Sequence, residues 1–193
     1  MTKKQAETFT YKGEQFYINE KSFTIRSGAI HYFRVPRPYW RDRLLKLKEC
    51  GFNTVETYVA WNLHEPHEDE FDFSGEKDVV AFLRIAQELG LYAFVRPGPF
   101  ICAEWEAGGF PAWLLADRNM RLRCNCAPYM QKVERYFARL FAELTPCAIE
   151  NGGNVLMWQV ENEYGSYGND TAYLRRLVEI YRENGIDGQL FTA

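Results

Sequence analysis

Long apolar runs are missing from this chain: nothing in its 193 residues is apolar for long enough to cross a bilayer. Charge of one sign is missing too. The formal net charge is −3 and no cluster of like charges occurs, so there is no electrostatic footprint for nucleic acid or an anionic membrane surface. Histidine is scarce. His31, His64 and His67 do not fall at metal-ligand spacing on one helix face, and lone histidines are usually satisfied by neighbours rather than by metals. The five cysteines are odd in number and scattered, which is not a disulfide framework. Cys124 and Cys126 stand too close together for zinc-ligand spacing and have no complementary pair, so the thiols are expected to be mostly free. Residues 1–10 are polar and lack the apolar stretch of a secretory leader, which fits a cytoplasmic protein or an exported one whose leader has been removed. No G-x-G-x-x-G turn is present, which takes away the main signature of a dinucleotide-binding sheet.

What the chain has in excess is aromatic side chains, 16% of residues, in a sequence that is 47% hydrophobic. Aromatic faces stack on the apolar faces of sugar rings, although composition alone favours a Phe-rich core. Short apolar runs alternate with helical patterns. Strands are expected over Phe23–Tyr32, Thr54–Trp61, Leu91–Val95, Val155–Val160 and Leu190–Thr192. Helices are expected over Tyr39–Cys50, Asp78–Leu89 with Asp78 as its cap, Tyr129–Glu150 with a break or kink at Pro146, and Thr171–Asn184. Continuous apolar strands separated by helices indicate a parallel sheet covered on both faces. A doubly wound sheet and a barrel both accommodate five such strands. The long polar and aromatic loops all follow strands, whereas the returns from helix to strand are short and marked by glycine. A (β/α)₈ barrel builds its active site from strand-to-helix loops. The expected class is therefore α/β, a (β/α)₈ TIM barrel of which this chain supplies about the first five strands. Such barrels need about 250 residues. Residues 1–193 accordingly read as the N-terminal portion of one catalytic domain, with the rest of the barrel outside the sequence.

Three strand ends carry groups capable of chemistry. Glu161, Asn162 and Glu163 follow the fourth apolar run directly. Strand alternation would put the two acids on one face and Asn162 on the other, unless the backbone turns after Val160 and brings Asn162 to the pocket as well. Two neighbouring carboxylates repel, so one is expected to hold a proton and to be able to donate it to a glycosidic oxygen. Spacing alone leaves open that both are solvated loop acids. After the third strand, Glu104 and Glu106 flank Trp105, a mixture that suits a sugar subsite and is also common in surface loops. Arg96 could orient one of these acids or make an ordinary salt bridge. After the second strand, Tyr58 could offer its hydroxyl to a ligand, Trp61 could close the core, and His64 and Glu65 read as exposed loop residues. Gly165-Ser166-Tyr167-Gly168 lacks the nucleophile-elbow pattern, so no Ser-His-Asp site can be built.

The longer motifs carry a resemblance. Ser27-Gly28-Ala29-Ile30-His31-Tyr32, Arg34-Val35-Pro36-Arg37 and Tyr39-Trp40 resemble the opening of glycoside hydrolase family 35 β-galactosidases. So do Tyr58-Val59-Ala60-Trp61-Asn62-Leu63-His64-Glu65-Pro66, the run Arg96 to Trp105, Gly109-Phe110-Pro111-Ala112-Trp113-Leu114 and Glu161-Asn162-Glu163-Tyr164-Gly165. The resemblance extends from about residue 25 to Ala193. It implies a retaining exo-β-galactosidase that releases terminal β-galactose from an oligosaccharide or glycan. Glu163 would be the acid/base, Asn162 would bind near the sugar 2-hydroxyl, and Tyr58 and Glu104 would contact the terminal galactose. Glu161 would stand behind them. The nucleophile would be a second Glu on the seventh barrel strand, beyond Ala193, so the 193-residue chain alone is expected to be inactive. No metal or organic cofactor is implied, because two carboxyl groups suffice. The rival readings are a retaining exo-β-glycosidase of the same barrel clan acting on another sugar, and a non-catalytic carbohydrate-binding remnant.

Overall fold

A computed structural model describes residues 6–193. The chain begins with a three-stranded antiparallel meander, β1 (Phe9–Lys12), β2 (Gln15–Ile18) and β3 (Lys21–Phe23). Sequence reasoning passed over this meander. Its turns are two-residue hairpin loops, Gly13-Glu14 and Asn19-Glu20, and the second has φ of 48° and 65°, the left-handed pair that suits strand twist.

Five parallel strands follow: β4 (Ser27–Ala29), β5 (Thr54–Tyr58), β6 (Tyr92–Arg96), β7 (Val155–Gln159) and β8 (Gln189–Phe191). They pair in the order β4-β5-β6-β7-β8. A doubly wound sheet reverses its strand order at a switch point. This sheet advances one strand at a time in one direction, as a (β/α)₈ barrel does. Between the strands lie α1 (Trp40–Glu49), the one-turn α2 (Trp61–His64), α3 (Val79–Glu88), α4 (Ala127–Leu144), the short α5 (Tyr164–Tyr167) and α6 (Thr171–Glu183). The returns from α1, α3, α4 and α6 to the next strand each pass through a left-handed glycine, namely Gly51, Gly90, Gly152 and Gly185. Asp78 caps α3, its Oδ1 accepting from the Ala81 amide at 2.8 Å, as expected.

Three boundaries differ most from expectation. The strand expected over Thr54–Trp61 ends at Tyr58, and Trp61 opens α2. The first parallel strand is shorter than Phe23–Tyr32 at both ends: before Ser27 the Asn53 side chain takes the backbone, donating to the Thr24 carbonyl at 2.8 Å and accepting from the Arg26 amide at 2.9 Å, and after Ala29 the chain turns into a 3₁₀ turn over Tyr32–Arg34. The fourth helix stops at Leu144, since Pro146 lies in a following 3₁₀ turn, Thr145–Cys147.

Alternation along β5 and β6 sorts the two faces, and a register shift between β6 and β7 opposite Ala93/Phe94 resets it in β7, so that Val155 and Trp158 lie on the same side. Val55, Ala93, Val95, Val155 and Trp158 join the large core beneath the helices. Phe94, Tyr92 and Met157 point the other way and pack with Phe9, Ile18 and Phe16 of the meander. The inner face of the sheet is therefore apolar at its N-terminal end, where the meander closes it. Residues two further along the same face, Arg96 and Gln159, are polar. The chemistry collects at the C-terminal end.

Candidate active site

Arg96 is the hub of the strand tips. Its Nη2 donates to Asn162 Oδ1 at 2.9 Å, its Nη1 to Glu56 Oε1 at 3.2 Å, and its Nε to the Gln159 side-chain carbonyl. Its guanidinium lies 4.1 Å from the Tyr58 ring centroid. The Tyr58 hydroxyl also donates to Asn162 Oδ1, at 3.2 Å. Burial raises the Tyr58 pKa above its ordinary value, with Arg96 opposing the rise. Arg96 thus pairs with Glu56, not with Glu104 or Glu106. The C-terminal ends of β5, β6 and β7 meet because the parallel register sets Tyr58 beside Arg96 and Val95 beside Trp158.

Past Gln159 the strand alternation fails, for a specific reason. Glu161 and Glu163 both adopt left-handed backbone, with φ of 61° and 48°. The turn points Asn162 toward Tyr58 and Arg96 and turns Glu161 the opposite way, into the helix layer. There Arg123 holds the Glu161 carboxylate through two bonds, Nε to Oε1 at 3.1 Å and Nη2 to Oε2 at 2.7 Å. The Tyr173 hydroxyl donates to Oε1 at 2.8 Å, and the Asn162 amide donates to Oε2 at 2.7 Å. The Glu161 side chain is fully buried. Glu163 is exposed, and among the described residues no side chain hydrogen-bonds its carboxylate. The two acids that spacing alone left equivalent are one ion-paired, buried carboxylate and one free carboxyl at the strand tip.

The chain matches the profile of the glycosyl hydrolases family 35 over residues 15–193. It belongs to that family. Human "Beta-galactosidase-1-like protein 2" is 49% identical over 182 residues, covering 94% of this chain and 29% of that protein. A β-galactosidase of Xanthomonas manihotis is 47% identical over 187 residues, covering 96% of this chain and 31% of that protein. Mouse β-galactosidase is 47% identical over 185 residues, covering 95% and 29%. The chain thus spans about three tenths of the length of these relatives. Among solved structures, an exo-β-1,4-mannosidase of Opitutaceae bacterium strain TAV5 superposes with a TM-score of 0.72 at 18% identity, covering 89% of this chain and 32% of that one. GH5_18 from Streptomyces cattleya gives 0.69 at 17% identity, covering 88% and 44%. These two likenesses concern the fold, and they agree with a partial (β/α)₈ barrel.

The other motifs that carried the family 35 resemblance fall into two groups. The segment holding Glu104 lies against the site: Ile101 and Ala103 form a small buried cluster with Ala60, against which Tyr58 and Trp105 pack. Arg34 fastens this segment by donating to the carbonyls of Ala103 and, at 3.2 Å, Glu104. The Glu104 side chain is exposed and makes no hydrogen bond to Tyr58, Asn162 or Glu163. His31 joins the same wall, its Nδ1 accepting from the Tyr58 amide at 3.4 Å. Burial, then Arg34 and Arg96, lower its pKa to about 4.

His64 and Glu65 belong to the other group. The sequence suggested exposed loop residues, and both are fully buried. His64 Nδ1–H donates to the Asp72 carbonyl at 2.9 Å, while its Nε2 accepts from the Tyr32 hydroxyl. Glu65 accepts from Trp61 Nε1 at 2.6 Å, the Asp69 amide at 2.9 Å and Arg135 Nη2 at 2.6 Å. They are paired core groups that fasten the loop after β5. Trp61 closes the core as expected, stacked 4.6 Å from the Tyr136 ring. Cys124 and Cys126 form a disulfide, leaving Cys50, Cys102 and Cys147 free. Arg123 and Tyr173 were missed altogether, because nothing in a linear spacing links either to a residue in the Glu161 turn.

Proposed function

We propose that this chain carries the acid/base half of a retaining exo-β-galactosidase site, with Glu163 as the acid/base. The observation that carries the reading is the division of labour at the β7 tip. Glu161 already has an ion pair and two further donors, so it has no vacant role toward a ligand. Glu163 is left as the accessible carboxyl of the pair. In a retaining reaction a protonated Glu163 would give its proton to the glycosidic oxygen as a second carboxylate attacks the anomeric carbon and the leaving group departs as an alcohol. Glu163, now ionised, would then take a proton from the water that displaces the enzyme carboxylate, returning free galactose and both carboxyl groups to their starting states.

Asn162, Tyr58 and Glu104 are proposed to bind the terminal galactose. The Asn162 oxygen is already occupied by Arg96 and Tyr58, which leaves its NH₂ to donate to a sugar hydroxyl oxygen. Tyr58 can rotate its hydroxyl from Asn162 to a ligand, and the exposed Glu104 carboxylate suits acceptance from sugar hydroxyls.

The test uses the intact barrel. Glu163→Gln should slow cleavage of β-galactosides with poor leaving groups by about 10²-fold or more, and activated aryl β-galactosides far less, because acid assistance matters little when the leaving group is good. Equal losses on both substrates would remove Glu163 from the acid role. Aryl β-mannosides and β-glucosaminides assayed alongside identify the sugar.

A further inference from the structure

The turn that carries Glu163 is held from outside chiefly by one residue of the loop before α4. Glu161 and Glu163 occupy left-handed backbone on either side of Asn162. Non-glycine residues keep that conformation only where surrounding contacts over-determine it. Arg123 supplies most of those contacts, and the Tyr173 hydroxyl and the Gly98 carbonyl add one each at Glu161. Its guanidinium takes the Glu161 carboxylate with two nitrogens, and the same Nη2 donates to the Asn162 carbonyl at 2.7 Å. Its own carbonyl accepts from the Tyr164 hydroxyl at 3.0 Å. The rings of Phe100 and Tyr167 each lie 4.0 Å from the guanidinium carbon. Arg123 is 7% exposed. Three of the four residues from Glu161 to Tyr164 are therefore bonded directly to Arg123. The exception is Glu163, whose backbone is fixed by its neighbours while its carboxyl stays free.

We infer that Arg123 is a positioning residue: by fixing the Glu161–Tyr164 turn it sets where the Glu163 carboxyl stands. The inference rests on the acid/base reading of Glu163 given above. The chemistry requires arginine. A planar guanidinium can engage a carboxylate at two points, reach a carbonyl and stack between two rings at once, whereas an ammonium is a point charge with none of that geometry. Arg123→Lys keeps the buried charge, so Glu161 is not stranded without a partner, but it gives up the second bond and the stacking. Tyr167→Ala is a second, milder variant. Tyr167 is 58% exposed, so its removal spares folding while taking away one face of the stack.

The experiment compares kcat/KM on a poor-leaving-group β-galactoside and on an activated aryl β-galactoside, with the pH profile of each, in the intact enzyme and with Glu163→Gln as reference. A displacement of about 1 Å at a reacting group can cost about 10²-fold. Arg123→Lys should therefore lose about 10-fold more on the poor substrate than on the activated one, and should shift the alkaline limb of the profile, which reports the catalytic acid. Tyr167→Ala should move both readouts in the same direction by less. If Glu163→Gln discriminates between the substrates and the two Arg123-site variants lose equally on both, with the limb unmoved, Arg123 is merely structural and the inference is overturned. If Glu163→Gln itself does not discriminate, the acid reading and the inference fall together.

Discussion

At the scale of single residues, burial decides more than residue type. His64 shows this in a measurable way. Burial lowers its pKa to about 4, against an ordinary value of 6.5. Between those two values the unfolded chain takes up a proton that the folded chain refuses. The stability held by neutral His64 is thus complete above about pH 6.5 and falls as the pH drops toward 4. The full shift corresponds to about 3 kcal/mol. Denaturant unfolding at pH 7 and pH 4.5 should show a clear loss at the lower pH, and His64→Gln should shrink that difference. His31 contributes in the same direction, so some pH dependence should survive in the variant. An unchanged pH difference in His64→Gln would show that the imidazole is not the group responsible. Glu161 and Glu163 make the complementary point: identical side chains two positions apart differ in exposure because the backbone between them turns.

At the scale of elements, the helices and most strands were legible, because hydrophobic period and capping are local properties. The helix expected over Thr171–Asn184 is observed over Thr171–Glu183, and that over Asp78–Leu89 is Val79–Glu88 behind its Asp78 cap. The meander was equally present in sequence, in the apolar residues Phe9, Phe16 and Ile18 between two-residue turns, but its strands are only three or four residues long and give a weak period. Asp170 joins local to distant structure. It caps α6 by accepting from the Tyr173 amide at 3.0 Å, and it also accepts from the Asn125 amide at 2.8 Å, in the loop that carries Arg123. These amides, that of Asn125 foremost, hold its carboxyl below the usual carboxylate range. Asp170→Ala should lower stability by about 1–2 kcal/mol in denaturant unfolding, whereas Asp170→Asn should retain most of it, since asparagine also caps well. A full loss in the asparagine variant would assign the effect to charge rather than to capping.

At the scale of the whole molecule, the five-strand sheet is a barrel arc. Among the described residues β4 and β8 each pair on one side only. A groove of about 560 Å³ lies beside β8, walled by Val160, Leu174, Val178, Leu190 and Phe191. A largely apolar wall, with Arg175 and Glu179 at it, beside the open edge of β8 suits coverage by further barrel units, in keeping with a chain that spans about three tenths of its relatives' length. A retaining site needs two carboxyl groups about 5–5.5 Å apart. The family resemblance puts the second on the seventh strand, and the described residues form five parallel strands. The 193-residue chain assayed alone on an aryl β-galactoside should show no turnover above its Glu163→Gln variant. Clear turnover would mean that the nucleophile lies within the chain.

The sequence by itself determined the alternation of strand and helix, the Asp78 cap, the glycine returns, the family and the run Glu161-Asn162-Glu163 as the place to look. Each of these is written in neighbouring residues or in motifs long enough to be read in line. Only the tertiary structure showed what occupies Glu161 and leaves Glu163 free, that Arg96 serves Asn162 rather than Glu104, and that Arg123 grips the turn. Those outcomes depend on pairs such as Arg123 with Glu161, or Arg96 with Asn162, brought within hydrogen-bonding distance by strand order and loop path. No local pattern encodes a contact between residues so far apart in the chain.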